Sequence, residues 1–165
     1  MPELEIRSAD AQDWDAIWPI VREVLSRGDT YAYPVDTSEA EARALWLERP
    51  TVTCIAVAGS DVVGTYYLKP NQPGQGSHVC NAGYMVASTA RGLGVGRAMC
   101  AHSLVEARRL GFRAMQYNLV VSTNTRAIEL WRAHGFAVVG TLPRAFAHPE
   151  HGLVDALVMY RLLED

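Results

Sequence analysis

Hydrophobic residues recur along this chain either at every second position, as in a β-strand, or at every third or fourth position, as in a helix. Each change from one spacing to the other predicts a new element of secondary structure. Residues 4–7 alternate between apolar and polar side chains, which predicts a short strand. Residues 14–25 follow helical spacing, with Asp10 as a candidate N-cap and Gly28 as the end. Pro19 interrupts that spacing, so we expect it to kink the helix or split it.

The same reading extends to the rest of the chain. A Gly59-Ser60 step between two β-branched runs predicts a hairpin. The apolar residues Val95, Ala98, Met99 and Val105 are expected on the buried side of one helix. The predicted strands are 53–58, 61–69, 77–86, 114–121, 138–142 and 153–162, and the predicted helices are 37–48, 95–110 and 124–134.

The order of these elements is β-α-α-β-β-β-α-β-α-β-β. Strand runs mixed with strand–helix–strand units predict the α/β (α+β) class, with a mixed sheet covered by helices. The pattern contains no repeat, low-complexity segment or linker, so we expect one domain over residues 1–165.

Composition narrows the class of protein. The 165 residues are 49 % hydrophobic and 20 % charged, with a net charge of −3, which argues against nucleic acid as the main partner. Cys54, Cys80 and Cys100 lack metal spacing and predict buried, reduced thiols in a cytoplasmic protein. His148 and His151 lie in a predicted turn, so no metal site is expected. No apolar run is long enough to predict a membrane span or a signal peptide.

A glycine-rich segment after the strand 77–86 carries the strongest chemical signal. Gly92, Gly94 and Gly96 leave the loop backbone unobstructed, so its N–H groups can form a nest for anionic oxygens. The helix that follows points the positive end of its dipole at the same place, and Arg91 and Arg97 add charge. The segment predicts a phosphate site, although a glycine-rich turn without a ligand is the alternative at this point.

Three nucleotide-binding patterns compete for this loop. A Walker A loop needs Gly-Lys-Ser/Thr, which is absent, and a dinucleotide fingerprint needs a third glycine where Met99 stands. The pattern Arg-x-x-Gly-x-Gly is met in full by Arg91, Gly94 and Gly96. It resembles the pyrophosphate loop of the GNAT superfamily of acyl-CoA-dependent N-acetyltransferases.

A second segment supports this resemblance. Residues 124–136 read Asn-x-x-Ala-x-x-Leu-aromatic-x-x-x-Gly-Phe, which is similar to the second GNAT signature and follows the first in the expected order. The resemblance implies the GNAT fold, a mixed sheet of about seven strands with four helices, splayed between the fourth and fifth strands.

The resemblance also implies a co-substrate, acetyl-CoA, with no metal. Its pantetheine arm would enter the splayed gap and add to the strand edge. A main-chain N–H near Met85 or Val86 would polarise the thioester carbonyl. The residues implied in binding acetyl-CoA are Tyr84, Met85, Val86, Arg91, Gly92, Leu93, Gly94, Val95, Gly96, Arg97, Asn124 and Trp131.

The chain departs from the family at its proton-transfer positions. Many members protonate the leaving thiolate with a tyrosine where this chain has Trp131, for which core packing or contact with the CoA arm is the better role. The two central strands carry no acid, and Asp155 in the last strand is the nearest candidate. We therefore expect the amides Asn81, Asn118 and Asn124 to serve at the catalytic centre, with water as the base.

The acceptor is the least specified part of the site. Tyr31 and Tyr33 lie where the family places its acceptor wall, and Asn81 and Asn118 complete the predicted substrate-binding set. The segments 81–85 and 117–124 look similar to a branch that acetylates proline-like amino acids such as azetidine-2-carboxylate. We expect acetyl transfer to a small-molecule amine by a cytoplasmic enzyme, with homodimers common among relatives. The alternatives are an acyl-CoA-binding module without turnover and a protein N-terminal or lysine acetyltransferase.

Overall fold

The computed structural model describes residues 3–164, which form one mixed sheet with helices packed on both of its faces. The strands are β1 Leu4–Ser8, β2 Val52–Ala58, β3 Asp61–Pro70, β4 Val79–Val86, β5 Ala114–Val121, β6 Ala137–His148 and β7 Gly152–Leu162. The helices are α1 Trp14–Arg27, α2 Glu39–Arg43, α3 Val95–Arg109 and α4 Thr125–Ala133. The predicted order of elements is confirmed. In the sheet the strands lie in the order β1-β2-β3-β4-β5-β7-β6, and only β4 and β5 are parallel neighbours.

The first helix begins as its sequence indicates but is not split. The Asp10 carboxylate accepts a hydrogen bond from the main-chain N–H of Gln12, and the Asp13 carboxylate accepts one from the main-chain N–H of Asp10, which completes a capping box. α1 then runs through Pro19 to a left-handed Gly28. Pro19 is exposed, so water can satisfy the main-chain carbonyl that loses its helical partner.

The second and third helices differ from the prediction in detail. α2 begins after Ser38 and continues as a π-helical turn over Ala44–Glu48. In α3 the residue Val105 is 66 % exposed, contrary to the expected buried stripe, and Ala98 is only partly buried. The stripe follows the three- and four-residue steps of a helix instead, through Val95, Met99, Cys100, Ser103, Leu104 and Ala107.

The sixth strand is longer than predicted. The sequence suggested a loop after Leu142, but β6 continues to His148. Its pairing with β7 shifts between Leu142 and Phe146, and Arg144 takes a φ of 51°. A bulge on this edge strand accommodates Pro143, because an edge strand does not need every main-chain donor.

The two central strands separate soon after they meet. Only Val79–Ala114 and Cys80–Met115 are paired between β4 and β5. β4 stays paired with β3 as far as Val86, and β5 stays paired with β7 as far as Val121. The predicted splay between the fourth and fifth strands is therefore confirmed. Across residues 3–164, every helix is too short or too polar to cross a bilayer.

Gly83 in β4 allows two aromatic rings to approach the sheet. A Cβ at this position would lie 2.7 Å from Cε1 of Tyr67 and 3.2 Å from Cη2 of Trp46. Both rings are buried, and Tyr67 is also hydrogen-bonded through its hydroxyl. β4 can therefore lie this close to the rings of Tyr67 and Trp46 only because residue 83 has no side chain.

We predict that Gly83→Ala lowers the free energy of unfolding by about 1–3 kcal/mol, because the added methyl overpacks this contact. Urea unfolding followed by circular dichroism would measure the change. Gly140→Ala is the matched control, since a Cβ there meets nothing within 4 Å. Equal stability of the two variants would contradict this account.

Candidate active site

The separation of β4 and β5 opens a cleft of about 890 Å³. Its walls are the facing edges of the two strands, the loop before α3, the start of α4 and the segment after α1. All but one of the predicted site residues line it; the exception is Leu93, which is 52 % exposed. The sequence-predicted residues are thus brought together in one place.

Asn81 stands at the point where the two strands part. Its Nδ2 donates to the main-chain oxygen of Gln116 at 3.0 Å, one residue beyond the last paired residue of β5. Its Oδ1 accepts from the hydroxyl of Tyr67 at 3.1 Å. The side-chain amide therefore takes over a carbonyl that the strand ladder no longer satisfies, and the buried amide is itself satisfied.

Tyr31 occupies main-chain groups of β4 that face the gap. Its hydroxyl accepts from the N–H of Tyr84 and donates to the carbonyl of the same residue, both at 2.8 Å. Burial raises the pKa of Tyr31 well above its usual range, although the contact with Tyr84 opposes the shift. Tyr31 is therefore a neutral donor and acceptor inside the cleft.

The bond between Tyr31 and Tyr84 shows which main-chain N–H groups of β4 point into the cleft and which point toward β3. In an antiparallel pair, opposed residues alternate between exchanging two main-chain hydrogen bonds and exchanging none. Tyr84 is bonded to Tyr31, so the neighbouring Met85 bonds toward β3 and Val86 faces the gap. Of the two N–H groups that the sequence suggested for the thioester, only that of Val86 faces the cleft. Met85 is only 2 % exposed and packs in the core.

The loop before α3 presents a set of unused donors. Gly92 and Gly94 have φ values of 78° and 80°, and a Cβ at either position would meet nothing within 4 Å. The N–H of Leu93 bonds back to the carbonyl of Ala90, and the next N–H that bonds back is that of Ala98, to the carbonyl of Gly94. Within residues 3–164 no acceptor receives the N–H groups of Gly92, Gly94, Val95, Gly96 and Arg97.

The cleft carries positive charge although the chain as a whole is acidic. Asp29 is the single carboxylate among the described residues that line it, and its Oδ1 lies 3.6 Å from Nε of Arg27. The basic side chains in the lining are Arg27, Lys69, Arg91, Arg97 and Arg126. Asp29 and Lys69 were not identified from the sequence, because only the register of β3 and the fold of the segment after α1 bring them to the cleft.

An aromatic cluster lies beneath the gap and includes Trp131. Its ring centroid is 4.8 Å from that of Tyr84 and 4.9 Å from that of Tyr117, and only 9 % of the residue is exposed. Ser103 donates to the carbonyl of Cys100, so its hydroxyl accepts from Tyr84, which in turn accepts from Tyr117. The packing role expected for Trp131 agrees with this position.

The remaining amides are distributed along the cleft. Asn118 is exposed and joins Asn71 at 2.7 Å and Gln116 at 3.0 Å. Asn124 precedes α4 as its N-cap residue, makes no side-chain capping bond and also lines the cleft. Tyr33 stacks on Tyr31, with ring centroids 6.3 Å apart. Asn81 and Asn118 are thus linked through Gln116, whereas the side chain of Asn124 bonds to neither of them among the described residues.

Other candidates from the sequence lie away from the cleft. Asp155 accepts from the main-chain N–H of Arg144 at 2.9 Å, so this acid supports the bulge of β6 and does not line the gap. The three cysteines are buried and unpaired. No group of three or more His, Cys, Asp or Glu side chains in residues 3–164 has the arrangement of a metal site.

Comparisons with known proteins point to one family. A model described as the acetyltransferase (GNAT) family matches residues 15–136, which include the loop and α4. The chain is 31 % identical to "N-acetyltransferase aca1" of Schizosaccharomyces pombe, over 81 % of this chain and 72 % of that protein.

Solved structures give the same result. A GCN5-related N-acetyltransferase from Kribbella flavida is 48 % identical, with a TM-score of 0.92 over 96 % of this chain and 97 % of that one. A phosphinothricin acetyltransferase from Sinorhizobium meliloti, solved in complex with AcCoA, is 26 % identical, with a TM-score of 0.86 over 96 % of this chain and 88 % of that one.

We predict that Tyr31→Phe lowers the free energy of unfolding by about 1–3 kcal/mol, because two main-chain groups of Tyr84 lose their partner. Urea unfolding would measure the loss. Tyr160→Phe is the control, since that hydroxyl makes no side-chain hydrogen bond among residues 3–164. A loss no larger than that of the control would show that water replaces the hydroxyl without cost.

We also predict that stability falls steeply above about pH 10. Burial raises the pKa of six tyrosines, which are Tyr31, Tyr33, Tyr66, Tyr67, Tyr84 and Tyr117. Above that pH the unfolded chain releases protons that the folded chain retains, so each tyrosine removes up to about 1.4 kcal/mol of stability per pH unit. The free energy of unfolding, measured with urea between about pH 8 and about pH 11, tests this prediction, since that range spans the ordinary tyrosine pKa. A constant free energy of unfolding across the range would contradict it.

Proposed function

Because the chain belongs to the GNAT family of acetyltransferases and takes its acetyl group from acetyl-CoA, we propose that it acetylates the amine of a small molecule. The observation that carries this proposal is the gap between β4 and β5, which ends at unused N–H groups. Such a gap accepts an extended arm at one side and an anionic group at the loop.

The loop is the proposed site of the diphosphate. The N–H groups of Gly92, Gly94, Val95, Gly96 and Arg97 and the dipole of α3 supply fixed donors, and Arg91 and Arg97 supply charge. Asn124, with no capping bond of its own, is free to contact the pantetheine arm. The aromatic ring of Trp131 forms the floor beneath that arm.

The N–H of Val86 is the proposed donor to the thioester oxygen. It faces the gap, whereas that of Met85 is used by β3. A positioned main-chain donor stabilises the charge that develops on the oxygen, typically by about 2.7–4 kcal/mol. The groups of Tyr84 join it if Tyr31 moves aside when the arm enters.

The transfer itself needs little from the side chains. The lone pair of a neutral amine forms a bond to the carbonyl carbon, the bond to sulfur breaks, and the nitrogen proton leaves. We propose that water carries this proton, because the described lining offers only one carboxylate, Asp29, which lies beside Arg27. A thiol has a pKa of about 8.5, so the thiolate departs without a strong acid.

The proposed acceptor is small and uncharged or anionic rather than a basic peptide. The positive lining disfavours polyamines and lysine-rich segments, and Tyr31 and Tyr33 wall the acceptor end. Asn81 positions the fork of the strands, and Asn118 is proposed to contact the acceptor. The likeness of segments 81–85 and 117–124 to the branch acting on azetidine-2-carboxylate supports a proline-like amino acid within this class.

We predict that the purified protein releases free thiol from acetyl-CoA with small amines and much more slowly with lysine-containing or N-terminal peptides. The panel comprises proline, azetidine-2-carboxylate, alanine, spermidine and a basic peptide. Free thiol is measured with a colorimetric assay, and acetylation of the amine is measured by mass spectrometry. Calorimetry with acetyl-CoA alone is the control for binding. Binding without turnover on every amine, or preference for the peptide, would contradict the proposal.

A further inference from the structure

Lys69 is the only lysine in the chain, and it lies in the cleft. It stands near the end of β3, directly opposite Asn81 on β4. Directly opposed residues of neighbouring strands carry their side chains on the same face of a sheet. Its side chain therefore lies on the same face of the sheet as the Asn81 amide that joins β4 to β5. This is the proposed acceptor end of the cleft, several residues along β4 from the loop before α3.

The ammonium of Lys69 has no counter-ion from the protein. None of the ion pairs in residues 3–164 includes it. Its Nζ lies 5.1 Å from the ring centroid of Tyr67. Burial lowers the pKa of Lys69, and the nearby Arg49 lowers it further. A partly desolvated cation without an ion-pair partner is a favourable place for an anion from outside.

The side chains around Lys69 favour an anionic ligand over a cationic one. Asp29 is the only acidic residue among the described residues of the lining, and Arg27 lies beside it. Asn118 adds a neutral amide, which can donate to a carboxylate oxygen. The acceptor end thus offers one compact positive charge with polar donors around it.

We propose that Lys69 binds the carboxylate of the acceptor and makes the enzyme selective for amines that carry one. This inference rests on the proposed function, since it names the substrate class of the same site. Lys69 takes no part in the bond changes; it orients an amino acid so that its nitrogen faces the thioester. The acceptor is an amino acid or an analogue with a free carboxylate, not its amide or ester.

The test compares acids with their primary carboxamides. Proline, azetidine-2-carboxylate and alanine are each assayed in both forms with wild type, Lys69→Met and Lys69→Arg. We expect Lys69→Met to lower kcat/KM for the acids about 10- to 100-fold, mainly through KM, because a charge-assisted hydrogen bond is lost. Activity on the carboxamides and the KM of acetyl-CoA stay within about twofold, and Lys69→Arg retains most of the activity on the acids.

Arg22→Met is the matched control, because it removes one positive charge from the exposed face of α1. It is expected to leave the ratio of acid to carboxamide unchanged. Equal losses on both forms with Lys69→Met would make Lys69 structural and overturn the inference. Equal use of both forms by wild type, or weaker binding of acetyl-CoA by Lys69→Met, would overturn it as well.

Failure of the proposed function has a different signature. In that case the wild type binds acetyl-CoA but acetylates neither the acids nor the carboxamides. The inference would then fall together with the function. If carboxamides are acetylated and acids are not, the proposed function stands and the inference alone is wrong.

Discussion

The parallel ladder between β4 and β5 ends after two residue pairs, and the site is built from the hydrogen bonds that this leaves open. Main-chain polar groups in a folded interior need partners. Asn81 supplies one for Gln116, and Tyr31 supplies two for Tyr84. The groups farther along the gap, at Val86 and in the loop before α3, have no protein partner among the described residues and face the cleft. The fold thereby leaves a row of main-chain N–H donors facing the cleft, while β4 and β5 remain strands of one sheet.

Charge is distributed unevenly between the cleft and the rest of the surface. The chain has a net charge of −3, yet five basic side chains and one acidic side chain among the described residues line the cleft. The net charge argued against nucleic acid as the main partner, but it gave no sign of a cleft lined by basic side chains. The field inside a low-dielectric cleft is set by the nearest side chains and dipoles, and the total charge of the chain is a poor guide to it.

Much of the fold was predictable because its signals are local. Glycines end α1, α3 and α4, and Gly59-Ser60 forms a hairpin turn, since these positions need a backbone that other residues resist. The length of β6 was not predictable from Pro143, because a bulge on an edge strand tolerates a missing donor. The burial of α3 was misjudged at Val105, where an apolar residue happens to face solvent.

The site was predictable in its loop and less so at its acceptor end. The loop follows from consecutive residues, whereas the acceptor end depends on which side chains of β3, β4 and the segment after α1 meet across the sheet. Asn81 was singled out as an unusual amide in a strand, but its bond to Gln116 depends on register. Asp29 and Lys69 carry no pattern of their own, and their importance comes from being the only acid in the described lining and the only lysine in the chain.

The absence of a general acid and base from the central strands is compatible with the rest of the structure. Burial keeps Tyr31 protonated, so it can donate to the carbonyl of Tyr84 but cannot act as a base near neutral pH. A carboxylate placed among the basic residues of the cleft would form an ion pair and repel an anionic acceptor. The neutral amides and phenols of the central strands avoid both effects, because they hydrogen-bond to water and to ligand without offsetting the positive charge of the cleft. The same lack of acids that removes a proton acceptor thus preserves the positive charge on which the proposed binding of anionic groups relies.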